Sequence, residues 1–195
     1  MRKLVAVCVL ASFWALQAGC AGGLHRQGEH QLSLTAGYGR PFKGTALYPD
    51  AEGRAENAGV TVGYGYFATD RLALLAAGTP LRVYNQGDGD VAAGELQVGL
   101  RYYVWEFDLA GTPVGLFGEV LGGMMNGSRS VPEGGSHTNF TQDTGVGCEV
   151  QLTRRVSWIS GYRLRHLSNG RIFRTDSNPS QNDHFVYTGV AFSFP

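Results

Sequence analysis

The sequence predicts an all-β chain, an eight-stranded antiparallel transmembrane β-barrel of the outer membrane. Three observations predict it: period-two alternation in a series of short segments, an alternation of short and long connections between them, and a last segment that ends in aromatics. The 195 residues carry 16 basic and 16 acidic side chains, so the net charge is zero, which fits one domain and gives no electrostatic footing for nucleic acid. Only 16% of residues are charged, whereas 29 glycines and 11% aromatics suit many short strands and tight turns.

Met1, Arg2 and Lys3 precede an apolar run that ends at the small residues Ala18, Gly19, Cys20 and Ala21. Residues 1–20 therefore read as a signal peptide cut among those small residues, 21–29 as a short linker, and 30–195 as the barrel. Cys20 leaves lipidation open as an alternative to plain cleavage, with Gln17 standing where such sites usually carry an apolar residue. Cys148 is then the one certain cysteine of the mature part, which rules out a disulfide framework. No later segment has the roughly 18 apolar residues of a spanning helix, so an exported chain of this kind is soluble or a barrel.

The strands are expected at 32–39, 60–66, 71–84, 95–104, 113–124, 144–152, 156–168 and 184–194. In 95–104 the even positions are all apolar or aromatic, while the odd ones are mostly polar, charged or glycine. In 144–152, Val146, Cys148, Val150 and Leu152 share one face and Gly145, Gly147, Glu149 and Gln151 the other. The third segment, through Leu72, Ala73, Leu74 and Leu75, alternates poorly. Period alone does not separate a membrane barrel from a soluble sandwich. The polar faces hold Glu95, Arg101, Glu119, Asp143, Glu149, Arg163 and Arg165, which would meet water in a sandwich and pair across the lumen in a small barrel.

The connections favour the barrel. Short ones fall near Thr69 and Asp70, at 108–111 and at 153–155, and longer ones at 40–55, 86–90, 126–138 and 169–183, the asymmetry of outer-membrane barrels with long loops outside the cell. The C-terminal segment, with Tyr187, Gly189, Phe192 and Phe194, resembles the signal by which such barrels are recognised for assembly, Pro195 following the last aromatic. The alternative is an ordinary edge strand. Tyr38, Tyr64, Tyr66, Tyr102 and Trp158 read as interface or lipid-facing aromatics. The spacings of His25, His30, His137 and His184 match no metal-ligand motif, and no cofactor is implied.

Nucleophile-type and base-type residues meet at a useful spacing in one place, His166 and Ser168. Residues i and i+2 of a strand share a face about 6.5–7 Å apart at the backbone, within reach of an imidazole leaning toward a hydroxyl. Both lie on the even, lipid-facing side with Trp158, Tyr162 and Leu164, at the top of a strand that ends at the outer leaflet. The bland reading is an interfacial polar pair. A lipid substrate would reach the pair without entering the lumen.

The run His166, Leu167, Ser168, Asn169, followed by Asn178, Pro179, Ser180, Gln181, Asn182 and a final strand ending in aromatics, resembles the PagL-type lipid A 3-O-deacylases. These are eight-stranded outer-membrane barrels with an esterase site on the outer wall, and the motif similarity spans about thirty residues at the C-terminal end. The resemblance implies Ser168 as nucleophile, His166 as general base, and Asn178 with the Gly170 amide as oxyanion donors. It also implies lipid A of lipopolysaccharide as substrate and hydrolysis of its 3-O-linked acyl ester without calcium; Arg165, Arg171 and Arg174, at the top of the seventh strand and in its loop, are then candidates to meet the lipid A phosphates, the alternative being ordinary arginines of an external loop.

Three departures stand out. Gly170 comes one residue earlier than the family glycine, the stretch from Ser168 to Asn178 is longer by about two residues, and Asn182 occupies the place of a glutamate. An amide can fix a histidine tautomer but cannot stabilise the imidazolium as a carboxylate does. Parity favours Asn182 beside His166, with Asp183 pointing inward as the alternative third member and Asp176 more distant. Two other readings stay open: a non-enzymatic barrel acting as a structural or adhesive surface protein, and an acyltransferase.

Overall fold

The computed structural model describes residues 23–171 and 179–195. Residues 1–20, read as a signal peptide, lie outside them, as do Arg174, Asp176 and Asn178. The described chain forms eight strands: β1 (His30–Phe42), β2 (Glu56–Phe67), β3 (Leu72–Tyr84), β4 (Val91–Leu109), β5 (Thr112–Val131), β6 (Ser136–Gln151), β7 (Val156–Ser168) and β8 (Gln181–Phe194). Each pairs antiparallel with its sequence neighbours, and β1 pairs with β8 from His30↔Phe194 to Phe42↔Asn182, closing the barrel.

The strand count is as expected; six of the strands are longer than the expected segments, β7 has the expected bounds and β3 is one residue shorter. The largest difference lies in 126–138, expected as one of the longer loops. There β5 runs to Val131 and β6 starts at Ser136, with a register shift between Asn126 and Val131. The Asn139 amide donates to the Val131 carbonyl at 2.6 Å and holds this irregular hairpin together. At the opposite end the tightest turn is Ala110-Gly111, both at positive φ (53° and 86°), as a two-residue hairpin of this twist requires. Asp108 Oδ1 accepts from the Gly111 amide at 2.6 Å.

The faces decide between sandwich and membrane barrel. Leu34, Val62, Leu96, Val98, Val146 and Val190 are exposed on the outer wall, whereas the seven charged residues of the polar faces are all buried inside. An apolar exterior around a charged lumen is the inverse of a soluble barrel and belongs in lipid. The lumen is filled. Arg101 pairs with Glu119 at 2.9 Å, Arg163 with Glu119 at 2.7 Å and with Asp143 at 3.5 Å, and Arg165 with Asp143 and Glu95, both at 3.2 Å.

Each of these guanidiniums also lies over a ring: Arg101 over Phe117 at 4.2 Å, Arg163 over Tyr187 at 4.4 Å, and Arg165 over Phe185 at 4.3 Å. The rings fit because Gly147, Gly161 and Gly37 stand beside them, where a Cβ would collide with Phe117, Tyr187 and Phe185 respectively. The poor alternation of β3 has its reason here. Ala73 and Leu75 face the aromatic part of the lumen, with Phe67, Tyr103 and Phe117, so both faces of the strand meet apolar surroundings.

The segment before β1 closes the short-turn end. Leu24 and His25 are buried, and the His25 ring stacks on Phe67 with centroids 3.9 Å apart. Its Nδ1 is 2.8 Å from Glu29 and its Nε2 is 3.4 Å from Glu149. Burial alone would push this imidazole down, but the Glu149 and Glu29 carboxylates outweigh it and raise it to about 9. A folded-state value above the ordinary 6.5 means that the stabilisation is complete below 6.5 and is lost as pH climbs through about 9. Residues 23–29 are accordingly expected to come loose above that pH while the barrel persists, read as trypsin cleavage at Arg26 that rises between pH 8 and pH 10 and is pH-independent in His25→Leu.

Candidate active site on the outer wall

The long-loop ends of β7 and β8 bring the site residues together. His166 stands in register with Asn182 on β8 and with Gln142 on β6, and Ser168 with Phe140. Directly opposed residues on one face lie about 5 Å apart at Cβ, so an imidazole and an amide meet across the pair. His166 Nδ1 is 2.7 Å from Asn182 Oδ1. Ser168 follows two residues on, on the same side of β7, and both side chains are partly exposed.

Asn182 is fully buried although it belongs to the outward face, because loop 43–55 folds over it. Its Nδ2 donates to the carbonyls of Pro49 at 2.8 Å and Lys43 at 3.0 Å. Carbonyls only accept, so both amide hydrogens are committed and Oδ1 must be the atom facing His166. The imidazole then carries its proton on Nδ1, and Nε2 keeps a free lone pair. A neutral side chain thereby sets the tautomer a general base needs.

Asp183 has the opposite orientation. Its carboxylate accepts from Asn57 Nδ2 at 2.8 Å and from Gln181 Nε2 at 2.9 Å inside the barrel, opposite Arg165 in the β7–β8 register. Arg165 is itself buried and ion-paired there, which corrects its expected role at lipid A phosphates: an odd position on β7 points inward. Gly170 and Arg171 follow the site at positive φ (61° and 58°), in a turn that the Asn169 side chain closes by accepting from the Arg171 amide at 2.8 Å. Arg171 is exposed at the rim. His184 lies two residues below Asn182 on the outer wall, 2.5 Å from the Tyr162 hydroxyl and stacked on Phe42.

Sequence reasoning expects a long loop at 40–55 but does not place it over the site, where residues 43–55 lie. Its Tyr48 ring lies parallel to His166, with centroids 5.5 Å apart and 9° between planes. No period marks a loop residue, and its partner is far away along the chain. Among the described residues, no group of three or more His, Cys, Asp or Glu side chains could hold a metal ion.

The family model described as lipid A 3-O-deacylase (PagL) matches residues 30–191, from the first residue of β1 into β8. The chain belongs to the PagL family. That membership places this barrel in the bacterial outer membrane, among proteins that act on the lipid A of lipopolysaccharide.

Solved structures share the architecture of this PagL-family chain. Neisserial surface protein A is 16% identical, with a TM-score of 0.57 over 86% of this chain and 100% of its own. The outer membrane protein OprG from Pseudomonas aeruginosa is 12% identical, with a TM-score of 0.51 over 87% of this chain and 97% of its own. At such identities the likeness is one of fold alone. No curated protein sequence matches.

Proposed function

We propose that this PagL-family barrel is a serine esterase that removes the 3-O-linked acyl chain from lipid A. The chain enters the outer membrane after loss of a signal peptide at residues 1–20, with its long loops and its site at the outer leaflet. The observation that carries the reading is the hydrogen bond from His166 to an amide whose orientation is locked by two carbonyls. It leaves Nε2 unprotonated on the outer wall, on the strand that also carries Ser168, where a membrane lipid has access.

In this mechanism Ser168 Oγ attacks the ester carbonyl as its proton passes to His166 Nε2. His166 then protonates the departing glucosamine 3-oxygen, leaving an acyl-serine. Water, deprotonated by the same nitrogen, attacks the acyl-serine, releasing a free fatty acid and restoring Ser168. Asn178 and the Gly170 amide supply oxyanion donors, and Arg171 and Arg174 meet the lipid A phosphates.

Purified barrel incubated with lipopolysaccharide is expected to yield lipid A lighter by one 3-hydroxyacyl chain in the mass spectrum. Ser168→Ala and His166→Ala should each reduce the rate by about three orders of magnitude or more. Acyl release unchanged in either variant would sink the assignment. An acyl chain recovered on an acceptor rather than as free fatty acid would mean a transferase, and no release at all would favour a surface protein, the reading suggested by a neutral Asn182.

A further inference from the structure

Tyr48 lies against His166 and makes or breaks no bond in the proposed reaction. It is buried at 8% exposure in a loop whose neighbours Leu47 and Pro49 are exposed, so the fold turns this one ring inward. The turn is built for it. The Thr45 amide donates to the Tyr48 carbonyl at 2.9 Å, the Ala51 amide to the Lys43 carbonyl at 2.6 Å, and Lys43 Nζ pairs with Asp50 at 3.3 Å. The amides of Glu52 and Gly53 then donate to the Ser180 carbonyl at 3.1 and 2.9 Å, tying the loop to the start of β8. The Tyr48 hydroxyl reaches Thr144 Oγ1 at 3.2 Å, on the wall beside His166.

When His166 takes the Ser168 proton it becomes a cation, and its Nδ1 partner is a neutral amide. The nearest carboxylate on β8, Asp183, is turned to the lumen and engaged with Asn57 and Gln181. The face of an aromatic ring within about 6 Å attracts a cation through its quadrupole. The Tyr48 ring offers that face at 5.5 Å, nearly parallel to the imidazole.

We propose that Tyr48 is a positioning residue for this site: its ring face fixes the plane of His166 and stabilises the imidazolium, a task the amide of Asn182 does not perform. The same loop supplies both halves of the arrangement, the carbonyls of Lys43 and Pro49 that orient Asn182 and the ring that stacks on the base. This rests on the esterase reading of His166 and Ser168.

The test replaces Tyr48 by phenylalanine and then by 4-fluoro-, 3,5-difluoro- and 3,4,5-trifluorophenylalanine. These rings are nearly isosteric, while each added fluorine weakens the negative face. Tyr48→Phe is expected to stay within about threefold of wild type. Along the fluorinated series kcat should fall stepwise to about a tenth, with KM constant, and Tyr48→Leu should lose about tenfold in kcat. A ring that only packs would give a flat series, and that result with an active wild type would overturn the role of Tyr48 alone. A wild-type barrel that releases no acyl chain would overturn the esterase reading and this one with it.

Discussion

Asn182→Leu is expected to lower kcat for acyl release by about ten- to a hundredfold while the barrel still folds. The substitution keeps the branching at Cγ and removes the polar atoms, so the loss is one of direction. Without Oδ1 the imidazole of His166 has no acceptor at Nδ1, the two tautomers compete, and part of the population presents a protonated Nε2 to Ser168. In other triads, losing the group that sets the tautomer costs about 10⁴, which bounds the effect. The change also leaves the carbonyls of Lys43 and Pro49 without the amide donor, at about 1 kcal/mol for each partly buried acceptor, and so loosens the loop that carries Tyr48. Single-turnover release of fatty acid from lipopolysaccharide, beside the heat-modifiable gel shift of the folded barrel, measures both effects.

Asn182→Asp separates two views of this position. If Asn182 were a weakened carboxylate, restoring the charge would raise the rate. In this structure an ionised carboxylate would direct one oxygen at two carbonyl oxygens now held by the amide hydrogens. The variant is therefore expected below wild type, by about tenfold, since two lost hydrogen bonds of about 1 kcal/mol or more each outweigh the gain from a charge beside the imidazolium. A rate above wild type would show that loop 43–55 yields easily and does not lock the amide.

Legibility in the sequence follows the range of the physics. Alternation is local, so Leu96, Val98, Val146 and their inward neighbours Gln97, Gly145 and Glu149 identify strand faces without any tertiary information. It also separates Asn182 from Asp183 by one residue and one face. What is not local does not show. Residues 127–130 are polar and read as loop, yet they form strand because the hairpin continues past the apolar band of the wall. Tyr48 reaches His166 only because the β1–β8 closure brings loop 43–55 over β8, a contact that no spacing encodes. The third strand is where expected but alternates poorly for a related reason: its pattern records a lumen that is aromatic at that level, and this depends on Tyr103 and Phe117 from other strands.

Glu119→Leu is expected to destabilise the barrel by about 3–5 kcal/mol, the cost of removing one partner from a buried ion pair. Glu119 is fully enclosed and serves three donors: Arg101 at 2.9 Å, Arg163 at 2.7 Å and the Tyr187 hydroxyl at 2.6 Å. The loss falls unevenly. Arg163 retains Asp143 at 3.5 Å, whereas Arg101 loses its pair with Glu119 and keeps the Phe117 face at 4.2 Å. Removing the stranded charge as well should therefore recover stability, so that Arg101→Leu combined with Glu119→Leu unfolds at higher urea than Glu119→Leu alone. Reversible urea unfolding in lipid vesicles measures both midpoints. Equal destabilisation by the single and double variants would mean that packing around Glu119, rather than the orphaned guanidinium, carries the cost. Because His166 and Asn182 face away from this cluster, the folded fraction of either variant should release fatty acid at the wild-type rate. Lumen charge and outer-wall chemistry are then separable, one supporting the strands that carry the other.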